Sequence, residues 1–240
     1  MARLYRSLLF VPGNNPRFLE KAKTSTADIV CFDLEDSVPD PEKKTARDLI
    51  KKALQSRSQY SSSVYVRTNS PISGKIPADL QEIIQKGLDG IVIPKVNNPA
   101  ELAKITKIIS SLEKKRKLKP ISVIPSIESA QGVVNTYEIA KSSKRIPAVV
   151  FGVFDLLNDL GIEYTKQAQG AQYSRAKIPV DAKAAGVLAI DGIWQDLQDT
   201  NGLREDCLAG KRLGYSGKSI IHPDQIGHAH ELYAPNKSEI

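Results

Sequence analysis

Ile29-Val30-Cys31-Phe32-Asp33-Leu34-Glu35-Asp36 is a short apolar run that opens straight into carboxylates. The same construction recurs along the chain. Apolar runs span 7–11, 29–33, 64–68, 90–94, 122–127, 148–152, 187–191 and 217–221. Nearly every one ends in polar or conformationally special residues: Pro12-Gly13-Asn14, Asp33 through Asp36, Arg67-Thr68-Asn69, Pro94-Lys95, Glu128, Gly152 through Asp155, Asp191, and His222-Pro223. The runs are continuous in Val, Ile and Leu rather than alternating, the pattern of parallel strands buried on both faces. Helical patterns fill the gaps at 16–24, 41–55, 78–86, 99–116, 130–142, 154–160, 174–185, 203–213 and 223–232. Eight strands with helical crossovers predict an α/β chain folded as a closed (β/α)8 TIM barrel, not a doubly wound sheet. Such a barrel builds its site at the carboxyl ends of its strands. An enzyme is the reading that follows.

Local signals agree. Asn15-Pro16, Asp40-Pro41, Asn98-Pro99 and His222-Pro223 open helices, because proline in the first turn forfeits no needed hydrogen bond. Gly87, Gly186 and Gly214 follow helical patterns and predict left-handed C-caps. The 240 residues contain no Pro/Gly/Ser-rich linker, so a single domain over 1–240 is expected, within the range of one barrel. Two cysteines, Cys31 and Cys207, are too few for a disulfide framework, and Cys31 lies in an apolar run where a buried, inert thiol is expected. No apolar stretch reaches the ~20 residues of a membrane span. The basic start could belong to a targeting segment. The first strand begins almost at once, however, so a cytoplasmic chain without a removable leader is the expectation.

The net charge is +7, a balance that can attract nucleic acid, membranes or anionic small molecules. Its densest cluster is Lys114-Lys115-Arg116-Lys117, with Lys119 beyond. This run closes a helix, where cations complement the helix dipole. A solvated helix end is therefore expected, with a phosphate contact as the alternative; neither a nucleic-acid nor a membrane partner is expected.

Three side chains carry the candidate chemistry. Glu128 follows Ile124-Pro125-Ser126-Ile127, Asp155 follows Phe151-Gly152-Val153-Phe154, and Arg67 ends Val64-Tyr65-Val66. A barrel would aim all three into one mouth. Two carboxylates there suit a hard cation such as Mg2+, and an arginine beside them can hold a carboxylate or a developing oxyanion. Singly, Glu128 or Asp155 reads equally as a helix cap or first-turn acid. Asp33, Glu35 and Asp36 form either a metal-associated cluster or a capping loop paired with Lys43, Lys44 or Arg47. Pro12-Gly13-Asn14-Asn15 is either a phosphate-facing nest or a plain turn. A Walker lysine motif, a Gly-x-Gly-x-x-Gly fingerprint, a His-Glu-x-x-His helix and a Ser/His/Asp signature are all missing. His222, His228 and His230 are spaced as a loop residue and a surface helix pair.

Together these segments resemble the citrate lyase β-subunit-like group of the HpcH/HpaI aldolase superfamily, which includes malyl-CoA, citramalyl-CoA and citryl-CoA lyases. The matching stretches are Arg6-Ser7-Leu8-Leu9-Phe10-Val11-Pro12-Gly13-Asn14, Asp33-Leu34-Glu35-Asp36-Ser37-Val38, Val66-Arg67-Thr68-Asn69, Ile93-Pro94-Lys95, Ile127-Glu128, Phe151-Gly152 with Asp155-Leu156, Ala189-Ile190-Asp191-Gly192, and Gly217-Lys218 through Ile221-His222-Pro223. They run in the family's order over almost the whole chain. The resemblance implies Mg2+ held by Glu128 and Asp155, with Asp33, Glu35 and Asp36 around those ligands. It implies Arg67 facing the substrate, and Phe10, Lys21, Pro94 and Lys95 at positions that meet substrate or coenzyme A. It also implies a CoA thioester and an α-keto acid as substrates, and a homotrimer or a multiple of three.

Three departures accompany it. The resemblance implies a general acid/base aspartate delivered by a C-terminal segment of a neighbouring subunit, but Tyr233-Ala234-Pro235-Asn236-Lys237-Ser238-Glu239-Ile240 stands where that segment begins, so a short or missing lid is expected. Val153 and Phe154 replace an alanine and glutamate common before the metal aspartate. Asn15 replaces an arginine common among CoA binders, with Arg17 nearby. The expected activity is Mg2+-dependent carbon–carbon cleavage or formation in a short 3-hydroxyacyl thioester. The alternatives are a class II aldolase on free keto acids, a thioester hydrolase, or a non-catalytic barrel subunit.

Overall fold

The eight apolar runs become eight parallel strands that close, in chain order, into one barrel. The computed structural model of the chain describes residues 4–166 and 168–234. The strands are β1 (Ser7–Pro12), β2 (Ile29–Asp33), β3 (Ser63–Arg67), β4 (Gly90–Ile93), β5 (Ser122–Ile127), β6 (Ala148–Phe151), β7 (Leu188–Asp191) and β8 (Gly217–Ile220). The helices are α1 (Pro16–Lys21), α2 (Lys43–Gln55), α3 (Ile76–Ile83), α4 (Pro99–Arg116), α5 (Ala130–Val134), α6 (Thr136–Lys141), α7 (Val153–Leu160), α8 (Gln172–Ala184), α9 (Thr200–Leu213) and α10 (Gln225–Leu232). The TIM-type fold is as the sequence predicts.

Two apolar layers hold it. Leu8, Ile29, Cys31, Tyr65, Val92, Ile124, Ala148, Val150 and Ile190 fill the barrel interior. The opposite strand faces, among them Leu9, Val30, Phe32, Val66, Ile91 and Val123, pack with buried helix residues such as Ile50, Leu80 and Ile109. Each fully buried side chain of this kind contributes roughly 1.5–3 kcal/mol. Both cysteines are free and buried. Burial raises both thiols, Cys207 to about 11, so neither is a thiolate at neutral pH. No helix among the described residues is long and apolar enough to cross a membrane.

Several boundaries differ from the sequence pattern, each for a local reason. The helix expected at 130–142 breaks at Asn135. There the Thr136 hydroxyl bonds back to the carbonyls of Gly132 and Val133, and Asn135 Nδ2 donates to the Asn97 carbonyl. Gly87 is not the C-cap of α3, which ends at Ile83. It instead turns the chain with φ +103° where a Cβ would lie 2.2 Å from the Leu54 carbonyl oxygen. The basic run is a helix end: Arg116 donates to the carbonyls of Ile84 and Gln81, and Lys117 closes α4 in the left-handed region. Asp191 ends β7 but turns into a buried ion network, where Arg175 bridges it to Asp206 and Lys218 pairs with both acids. The C-terminal stretch for which a short or missing lid is expected lies, from Pro235 onward, outside the described residues.

Candidate active site

The register of the sheet builds the first half of the site. Asp33 and Arg67 end β2 and β3 as direct neighbours. Arg67 Nε and Nη2 donate to the two Asp33 carboxylate oxygens, each at 2.7 Å. Asp33 also accepts from the Glu35 amide (2.8 Å), the Ser37 amide (3.1 Å) and the Ser37 hydroxyl (2.5 Å). Burial alone would raise the Asp33 carboxyl; the Arg67 charge and these hydrogen bonds outweigh it and hold it at about 2. Arg67 lies 4.7 Å over the Phe10 ring, and its Nη1 reaches Glu35 (3.2 Å) and Asp36 (3.3 Å). The carboxylates of the acidic stretch pair with Arg67 and Lys95 rather than with α2, which holds the stretch by its backbone. Lys43 Nζ donates instead to the carbonyls of Leu34 and Glu35, and Arg47 pairs with Asp79.

Lys95 follows β4 in the left-handed region, φ +54°. That conformation is costly for a residue with a Cβ and concentrates at functional sites. It delivers Nζ to Glu35 at 2.8 Å, Asp155 at 3.1 Å and Asp36 at 3.4 Å. Lys95 thus ties the acids that follow β2 to the first turn of α7.

The second half comes from β5 and β6. Glu128 directly follows β5 and is buried, while Ser129, not Glu128, caps α5 by accepting from the Gly132 amide. Burial raises the Glu128 carboxyl, and the Asp155 charge adds to the rise; Arg67, Lys95 and a hydrogen bond from Ser126 act against it. Glu128 Oε2 has no hydrogen-bond partner. Asp155 stands in the first turn of α7, whose N-terminus at Gly152 has no side-chain cap.

Arg67, Glu128, Asp155, Asp33 and Asp36 line one cavity of about 430 Å3, with Phe10, Val153, Phe154, Ile193 and Ile221 as its apolar wall. A second cavity of about 600 Å3 lies between the β1–α1 and β8–α10 corners. It shares Phe10, Pro12 and Ile221 with the first and adds Phe18, Lys21 and His222. Of the remaining sequence candidates, Glu35 joins through Arg67 and Lys95. Pro94 is buried and lines neither cavity, and Lys95 reaches the site through its acids rather than through a cavity wall. Asn15 caps α1, accepting from the amides of Arg17 and Phe18, and the Gly13 amide donates to the Asp33 carbonyl, which makes that stretch a turn. Ser37, Ser126 and Ser219 also line the first cavity. The usable signal for two of them was strand periodicity, since Ser126 and Ser219 stand two residues before Glu128 and Ile221.

Polar side chains gathered at the strand ends of a closed barrel, around a cavity with a second cavity beside it, define a barrel enzyme. The HpcH/HpaI aldolase/citrate lyase family profile matches residues 6–223. The citrate lyase β subunit of Leuconostoc mesenteroides subsp. cremoris is 36% identical, covering 99% of this chain and 80% of that one. A (3S)-malyl-CoA thioesterase of Cereibacter sphaeroides is 34% identical over 100% of this chain and 80% of its own. The citrate lyase β subunit of M. tuberculosis, solved with oxaloacetate and magnesium, superposes with a TM-score of 0.81 at 27% identity, covering 97% and 98% of the two chains. The chain belongs to the HpcH/HpaI aldolase/citrate lyase family.

Proposed function

We propose that this enzyme breaks or forms a carbon–carbon bond in a short 3-hydroxyacyl-CoA thioester such as citryl-, malyl- or citramalyl-CoA, with an acyl thioester and an α-keto acid as the other pair. The observation that carries this reading is the meeting of two unlike cavities at Phe10. The acidic one holds Arg67, Glu128 and Asp155. The other, with Phe10, Phe18 and Ile226 beside the exposed Lys21, offers apolar surface for a pantetheine arm and a cation for its phosphates. One barrel domain over residues 1–240 carries both, and the resemblance adds assembly in threes.

The donor set fits a divalent cation. Glu128 Oε2 is buried without a donor, and Asp155 lines the same cavity. Mg2+ takes one or two protein carboxylates and retains several waters, so two carboxylates are enough to hold it. When bound, the ion supplies Lewis acidity to the oxygen that becomes the keto group. The chain supplies the rest. Asp33 fixes the Arg67 plane, so its charge meets the enolate oxygen of the departing thioester fragment without reorganisation. The uncapped amides at the start of α7 favour the keto-acid carboxylate.

Isothermal titration with Mg2+, a keto acid (glyoxylate, pyruvate or oxaloacetate) and acetyl-CoA tests the reading. Saturable keto-acid binding that requires Mg2+, together with acetyl-CoA binding, is expected. Keto-acid binding alone would indicate a free keto-acid aldolase, and binding of neither would end the proposal. Thioester hydrolysis is a second reading, favoured by the malyl-CoA thioesterase relative; release of free CoA thiol from malyl-CoA distinguishes it.

Lys95→Met is expected to tighten Mg2+ about tenfold. Its ammonium lies 3.1 Å from Asp155, and like charges a few ångströms apart in a water-like dielectric cost on the order of 1 kcal/mol. Unchanged or weaker Mg2+ binding by titration would place the metal away from Lys95.

A further inference from the structure

Four side chains on the wall of the acidic cavity can donate hydrogen bonds: Ser37, Arg67, Ser126 and Ser219. Three already bond carboxylates of the site. The Ser37 hydroxyl donates to Asp33, Arg67 is held by Asp33 and Asp36, and the Ser126 hydroxyl bonds Glu128. Ser219 is 1% exposed and its Oγ has no hydrogen-bond partner. A buried hydroxyl without a partner is unfavourable and is characteristically relieved by a ligand or another polar group.

The sheet fixes where this hydroxyl lies. Ser219 pairs in register with Leu8 of β1, and Leu8 packs in the barrel interior. Register partners in a sheet face the same side, so Ser219 faces inward. Phe10, two residues beyond Leu8, and Ile221, two residues beyond Ser219 and just past the end of β8, line the same cavity nearer the rim, which puts Ser219 on its floor. The second cavity lies beside β1 and β8 and shares Phe10, Pro12 and Ile221 with the first as a common wall. A thioester entering from that side carries its sulfur at the rim and its far end deepest. In a 3-hydroxyacyl thioester of the proposed kind, the far end is the fragment that leaves as the keto acid.

We propose that Ser219 is a substrate-binding residue whose hydroxyl donates to an oxygen of the α-keto-acid fragment; this rests on the reaction proposed above. The residue has no charge and sits inside an apolar run, so beyond its strand periodicity only its missing partner and its place on the cavity floor mark it.

Ser219→Ala tests the assignment. Titration of the variant with pyruvate, glyoxylate or oxaloacetate in saturating Mg2+ should show roughly tenfold weaker binding than wild type, the scale of a hydrogen bond to a charged acceptor. Mg2+ affinity without keto acid, acetyl-CoA affinity and Tm should stay at wild-type values. Ser219→Cys, nearly isosteric with a weak donor, should fall between the two. If Ser219→Ala binds the keto acid as tightly as wild type does, the Ser219 assignment is overturned and the reaction stands. A selective loss of acetyl-CoA affinity would also overturn it, by putting the hydroxyl on the other fragment. If wild type itself binds no keto acid with Mg2+, the proposed reaction fails, and Ser219 loses its ligand with it.

Discussion

Arg67→Met is expected to destabilise the fold by about 3–5 kcal/mol at neutral pH, the cost of removing one partner from a buried ion pair. Asp33 is 1% exposed and takes two 2.7 Å bonds from that guanidinium. Methionine fills a similar volume, so the loss comes from the stranded carboxylate rather than from a cavity. The pH dependence identifies the cause. In the wild type Asp33 is held at about 2, below its ordinary 3.8, so its contribution is present above about pH 4 and fades as pH falls toward 2. Without Arg67, burial raises the folded-state pKa above the unfolded one. The variant then loses stability as pH rises, because the folded state must surrender a proton it prefers to keep. The gap between the two proteins should therefore be widest near pH 7 and narrow on acidification. Urea unfolding at pH 7 and pH 4.5 reads this directly. A gap of equal size at both would mean that Arg67 stabilises through packing with Phe10, not through its charge.

That pair also shows what the sequence could disclose. The meeting of Arg67, Glu128 and Asp155 on one cavity is legible because each stands at or just past the end of an apolar strand, and the carboxyl ends of barrel strands converge by construction. The α4 limits, Pro99–Arg116, were legible because Asn98-Pro99 and the terminal lysines are local signals. The partners of the acidic stretch were not. Asp33 bonds Arg67, thirty-four residues away, and only the β2–β3 register makes them neighbours. Lys95 was placed with the ligand contacts, yet its reach to Glu35, Asp36 and Asp155 depends on a left-handed backbone that no lysine advertises. The break at Asn135 was hidden for a similar reason, since helical spacing continues through it while Thr136 and Asn135 bond elsewhere. Ser219 reads as part of a strand until the cavity beside it is seen.

Gly152→Ala is expected to weaken Mg2+ binding about 10–100-fold, the range seen when the support of a metal ligand is disturbed, while costing only about 1–3 kcal/mol of stability from overpacking. The backbone raises no objection, because Gly152 has φ −107°, open to any residue. The obstacle is Glu128. A Cβ at Gly152 would stand 2.4 Å from Glu128 Cγ, 2.9 Å from Cδ and 3.0 Å from Oε1. The main chain has little room to yield, since the Gly152 amide donates to the Ile127 carbonyl at 3.0 Å and the Gly152 carbonyl accepts from Leu156 at 3.2 Å as α7 begins. The glutamate must swing instead, and its carboxylate leaves the position from which it would share an ion with Asp155. Mg2+ titration alongside thermal unfolding separates the two effects. A variant whose Tm falls only by the about 2–12 °C that this cost implies, yet which loses Mg2+ affinity, would support Glu128 as a ligand whose rotamer the missing Cβ permits. A variant that folds and binds Mg2+ as wild type does would remove Glu128 from the metal. Gly152 then belongs to the site through the volume it leaves empty, a contribution that its position between β6 and α7 can hint at and that only the distance to Glu128 establishes.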